Sequence, residues 1–169
     1  TGFAHFFEHL MFYGTPTLSR LEREQRIQEL GAEENAWTWF DDTVYHATLS
    51  SEHVEAYIQM EGDRFQNLML TEEMVRKEAG AVYGEFRKGQ SSPMNRLYET
   101  LYSTAFTTHT YHHDTIGTEA DISDMPSAHA YSADFFSRFY RPNFATVLVV
   151  GDVSPEDIFR WTEQAYGSW

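Results

Sequence analysis

Apolar residues in the first part of the chain recur at the spacing of one helix face. Phe3, Phe6, Phe7, Leu10 and Met11 fall at i, i+3, i+4, i+7 and i+8, which predicts a helix over residues 3–12 with one buried side. Gly14 and Pro16 stop it. Ser19 and Glu22 form a capping box for a second helix, and Gly31 suits its end. The period then changes. Over residues 34–49 Trp37 and Trp39 alternate with Thr38 and Phe40, and a run rich in strand formers follows from Thr43 to Leu49. With Asp41-Asp42 as a tight connection, this predicts a hairpin.

Helical spacing returns from Ser51 through Val54, Tyr57, Ile58, Phe65 and Leu68. Thr71 caps a further helix that carries Val75, Glu78, Val82 and Glu85. Gln90 to Pro93 reads as a loop before another helix through Leu97 and Leu101, and residues 107–118 are polar and irregular. Pro126 is placed to open a helix bearing Tyr131, Phe135, Phe136 and Phe139, and Ser154-Pro155 to open the last one. Between them Thr146-Val147-Leu148-Val149-Val150 is all but continuous in apolar residues, which predicts a central strand. The pattern is α+β: an antiparallel or mixed sheet with helices packed on it, in one domain over residues 1–169. Three strands are few for so much apolar helix surface, so further strands are expected upstream of Thr1, within a longer, multi-domain chain.

Composition narrows the function. The 169 residues are 41% hydrophobic, with a net charge of -14, enough to bury a core and too acidic to suit nucleic acid or an anionic membrane. No apolar run reaches the roughly 20 residues of a membrane span. Cysteine is absent, so any metal must be held by histidine and carboxylate. The acidic residues Glu22, Glu24, Glu33 and Glu34 read most simply as a soluble face.

His5-Phe6-Phe7-Glu8-His9 is an H-x-x-E-H motif, the reverse of the order in thermolysin-type zinc enzymes. Residues at i and i+4 project from one helix face, so both imidazoles reach one ion, with Glu8 beside them. The apolar stripe points the opposite way. A catalytic zinc site has three protein ligands, and the helix after Thr71 offers two candidates for the third. Glu78 and Glu85 are seven residues apart and share its face with Val82. Spacing does not rank them.

Four ordered segments together resemble the pitrilysin family, which includes insulin-degrading enzyme and the mitochondrial processing peptidase. Residues 1–15, from Thr1-Gly2-Phe3 through the motif to Tyr13-Gly14-Thr15, look like its active-site helix. Asn35-Ala36-Trp37-Thr38 with Asp41, Thr43 and Tyr45 is similar to the hairpin beside it. Glu78 and Glu85 fall at family spacing. Tyr140-Arg141-Pro142-Asn143, leading to Val149-Val150-Gly151-Asp152, resembles the closing strand. Tyr13, where lysine is common, and Thr110, where proline is frequent, depart from the pattern without touching the chemistry.

The resemblance implies a zinc metalloendopeptidase acting on peptides or unfolded segments. It implies zinc on His5, His9 and Glu85, with Glu8 as the base that activates water, and it leaves Glu78 to orient a ligating histidine. Asn35 and Ala36 would pair with an extended peptide through main-chain hydrogen bonds. A second related half, in the same chain or another subunit, would close the chamber, and family placement points to the bacterial envelope or an organelle. The rival reading is a noncatalytic assembly or peptide-binding subunit of the same fold. His112, His113 and Asp114 read as a solvated loop cluster rather than a second metal site, and Trp37 and Trp39 as core.

Overall fold

A computed structural model describes residues 1–169. Its helices are α1 (Phe3–Leu10), α2 (Arg20–Glu29), α3 (Val54–Asn67), α4 (Glu72–Gln90), α5 (Pro93–Ala105), α6 (Glu119–Asp124), α7 (His129–Phe139) and α8 (Pro155–Tyr166). Two strands, β1 (Glu33–Thr38) and β2 (Thr43–Thr48), pair in an antiparallel hairpin. The fold is thus α+β and mostly helical. Its residues cluster in two units: Thr1–Leu10 with Ala36–Val44 and Leu70–Ala133, and Met11–Asn35 with Tyr45–Met69 and Asp134–Trp169.

In the first unit α1 packs on α4, and α6 and the turn at Met125–Ser127 pack on α4 as well. The apolar stripe of α1 is wholly enclosed at Phe6, Phe7 and Leu10, and so is α4 at Val75 and Val82. At about 25 cal/mol per Å² of apolar surface, each such side chain contributes about 1.5–3 kcal/mol. Gly2 starts α1 by accepting the Phe6 amide at 2.9 Å. Its φ is +79°, and a Cβ there would lie 2.5 Å from the Ile116 carbonyl oxygen. Only glycine fits that approach. Thr71 accepts from the Met74 amide and starts α4 as its capping pattern predicts.

In the second unit α3 packs on α8. Val54, Ile58 and Ala165 form one apolar cluster, and Ile27, Leu30 and Met60 another. Between charged residues there is a buried network. Arg23, 3% exposed, makes two hydrogen bonds to Glu34 at 2.6 and 2.7 Å and a third to Glu61 at 3.0 Å. Glu61 also accepts from Arg64, which donates to the Met11 carbonyl at 3.1 Å. The Arg64 guanidinium stands over the rings of Phe12, Tyr45 and Phe65. Glu34 is therefore not part of a merely soluble face. A buried guanidinium needs carboxylate partners, and Glu34 is one of them.

Three further expectations are corrected. Residues 146–150 form no strand: a strand needs a neighbour to accept its amides, no strand of residues 1–169 lies alongside, and Leu148 and Val150 are 82% and 87% exposed. Pro126 opens a short 3-10 turn, and α7 starts only at His129. Trp37 and Trp39 are 50% and 63% exposed; along β1 the alternation turns Glu34, Ala36 and Thr38 inward and Trp37 outward.

Candidate metal centre

The chemistry of α1 lies on the side away from its buried stripe. His5, Glu8 and His9 are each half-buried there, while Phe6 and Phe7 are enclosed. One helical turn separates the two histidines, and their ring centroids are 4.8 Å apart. From α4, Glu85 reaches both: its Oε2 is 3.4 Å from His5 Nε2 and 3.6 Å from His9 Nε2. Ligand atoms of His5, His9 and Glu85 all lie within 4.8 Å of one another.

The carboxylate spacing fits a metal. Bonds of roughly 2.0–2.2 Å in a tetrahedral zinc site put neighbouring ligand atoms about 3.3–3.5 Å apart. The two Glu85 separations sit at or just beyond that. Two neutral imidazoles and a carboxylate are also the donor set that suits zinc without thiolates.

Glu78 occupies a different position on the same α4 face. Its Oε1 accepts from His9 Nδ1 at 2.8 Å. With the proton on Nδ1, the Nε2 lone pair of His9 faces Glu85. The pKa values of the two histidines are shifted in opposite directions. The hydrogen bond to Glu78 pushes His9 up against the effect of its burial, with Glu85 and Glu8 adding to the rise. Burial, followed by the nearby His9, pushes His5 down, although Glu8, Glu85 and Asp114 oppose this. The structure thus separates two glutamates that sequence spacing could not.

Glu8 makes a contact that the sequence did not suggest. The Thr38 hydroxyl, at the end of β1, donates to Glu8 Oε2 at 2.6 Å. The inward alternation of β1 was the available signal for Thr38, but nothing in the pattern names its partner. Asn35 is exposed and Ala36 half-buried on the same strand. His112 and His113 turn to main-chain carbonyls: His112 Nδ1 donates to the Phe106 carbonyl at 2.7 Å and His113 Nδ1 to that of Asp114 at 3.0 Å.

Residues 1–119 match the family described as Insulinase (Peptidase family M16), and residues 132–169 match the Peptidase M16 inactive domain. Zinc protease PqqE of Helicobacter pylori is 31% identical over 169 residues, covering 99% of this chain and 38% of that protein. The beta subunit of the mitochondrial-processing peptidase of Bos taurus is 25% identical, over 98% of this chain and 34% of that subunit.

Among solved structures, a protease from Helicobacter pylori superposes with a TM-score of 0.94 at 32% identity, over 99% of this chain and 40% of that one. The first half of the periplasmic protease PqqL from Escherichia coli has the same fold, with a TM-score of 0.83 at 23% identity over 98% of this chain and 36% of that one. The chain spans about two fifths or less of the length of these relatives. The family match covers most of the chain and contains both histidines and both α4 glutamates, and so this chain belongs to the insulinase family of peptidases, M16.

Proposed function

We propose that residues 1–169 form the catalytic domain of a zinc metalloendopeptidase. The observation that supports this most is the convergence of His5, His9 and Glu85 on one point, with Glu8 beside them and outside the ligand set. His5, His9 and Glu85 would hold the zinc. When bound, zinc supplies a Lewis acid that makes water acidic near neutral pH and stabilises negative charge on a peptide carbonyl oxygen.

The protein's own groups do the rest. Glu8 accepts a proton from the attacking water and returns it to the leaving amine. Glu78 keeps the His9 proton on Nδ1 and the ring fixed. Asn35 and Ala36 on β1 would align an extended peptide by main-chain hydrogen bonds. Peptides or unfolded segments suit such edge pairing, because a folded substrate has its main chain already paired. Since the chain spans only part of each relative, and one structural neighbour is described as the first half of a protease, a second related half is proposed to complete the chamber.

The test is metal analysis and peptide cleavage with the full-length protein. About one zinc per site, lost in Glu85→Ala, together with retained zinc but abolished cleavage in Glu8→Gln, is the expected result. Zinc without cleavage in the wild type would favour a noncatalytic subunit. Normal cleavage by Glu8→Gln would remove Glu8 from the role of base.

A further inference from the structure

Glu8 has a long, rotatable side chain, yet a base works only when its oxygen is held within reach of the water it deprotonates. The α1 backbone under it is fixed by the enclosed Phe6 and Phe7. What holds the carboxylate itself is Thr38, whose hydroxyl lies 2.6 Å from Oε2. Thr43, opposite on β2, places its own hydroxyl 3.3 Å from that of Thr38. A carboxylate only accepts, and a hydroxyl has one proton to give. Thr38 therefore donates to Glu8, and the Thr43 hydroxyl is left to donate to Thr38. Such chains strengthen each member.

The hairpin carrying both threonines is braced at its turn. Trp39 donates its amide to the Asp42 carbonyl at 2.9 Å, and Tyr111 donates its hydroxyl to Asp41. Phe40 packs against Tyr102 and Tyr111 with ring centroids 5.1 and 4.8 Å apart. The donor to Glu8 thus comes from a braced turn rather than from a free loop tip.

We propose that Thr38 is a positioning residue that fixes the Glu8 carboxylate through Oε2 and so assigns the proton transfer to Oε1. The proposal rests on the peptidase reading above. Oε1 takes one proton as the water oxygen bonds to the scissile carbonyl carbon. It gives that proton to the amine nitrogen as the carbon–nitrogen bond breaks, while Thr38 keeps its own proton throughout. Valine has the shape of threonine without the donor, and serine has the donor without the methyl group.

The experiment compares Thr38→Val and Thr38→Ser in the full-length protein, with a fluorogenic peptide as substrate. Loss of a hydrogen bond to a charged group should lower kcat of Thr38→Val by about tenfold or more, with KM changed by less than about twofold. Zinc content and melting temperature should stay at wild-type values, and Thr38→Ser should recover kcat to within about threefold. Peptide affinity, measured in a Glu8→Gln background where nothing is cleaved, should be the same with Thr38 or Val at that position.

A normal kcat in Thr38→Val overturns the proposal and leaves the peptidase reading intact. So does a serine variant as slow as the valine variant, or a loss of peptide affinity that makes Thr38 a substrate contact. A wild-type protein that cleaves no peptide overturns the peptidase reading, and the role of Thr38 falls with it.

Discussion

Glu78 accepts from His9 Nδ1 at 2.8 Å and is 13% exposed, whereas Glu85, which faces the Nε2 atoms of both histidines, is 49% exposed. The more buried glutamate is bonded to the far side of the His9 ring, and the open one faces the Nε2 atoms of both histidines. Partners of this outer kind typically change metal affinity by about 10–100-fold when removed. Glu78→Ala should therefore weaken zinc binding by about that factor, and Glu78→Gln, which keeps an acceptor oxygen, by less. Competition with a coloured chelator measures it. Equal affinity in wild type and Glu78→Ala would show that the His9 ring needs no such support.

Two helical glycines should respond to alanine with opposite signs. A Cβ on Gly62 in α3 would lie 2.8 Å from both the Cβ and the carbonyl oxygen of Ala165 in α8. Backbone cannot yield there as a flexible side chain would, so Gly62→Ala should destabilise by about 1–3 kcal/mol. Gly80 on α4 is exposed and has nothing within 4 Å of the same atom. Gly80→Ala should stabilise by about 0.5–1 kcal/mol, because the unfolded chain then has less freedom to lose. Thermal unfolding of the two variants side by side decides it. A raised melting temperature for Gly62→Ala would mean that α3 and α8 pack less closely than this.

What the sequence made legible was local. The buried stripe of α1, with His5, Glu8 and His9 opposite it, follows from helical spacing alone. The capping box at Ser19 and Glu22 and the cap at Thr71 are formed as read. What stayed hidden involves partners far apart in sequence. Thr38 meets Glu8 across 30 positions, and Arg23 meets Glu61 across 38. An acidic residue such as Glu34 looks the same in a sequence whether water or a buried guanidinium solvates it. Glu78 and Glu85 share one face of α4, so spacing alone does not distinguish them, whereas their distances to the imidazole nitrogens do. The run from Thr146 to Val150 has strand composition, but composition does not supply the neighbouring strand that pairing requires.

Asp63 offers a test in acid. Its Oδ2 accepts hydroxyls from Thr15 at 2.5 Å and Thr17 at 2.6 Å, and its Oδ1 accepts the Asn67 amide at 2.8 Å. Burial alone would push this carboxyl up, but the three hydrogen bonds outweigh it and hold it below its ordinary 3.8. A carboxyl whose pKa is lower folded than unfolded binds fewer protons in the folded state, so it stabilises the fold above the unfolded value. That contribution fades as pH falls through the folded value. Asp63→Asn cannot reproduce three acceptor contacts, since one end of the amide is a donor and would oppose either the threonine hydroxyls or Asn67. The variant should therefore be less stable than wild type near neutral pH, and the gap should narrow as pH falls below about 4, the ordinary aspartate value. Urea midpoints of both proteins across that fall in pH measure the gap. A difference that holds constant or widens toward acid would mean that the threonines bind this carboxyl no better charged than protonated.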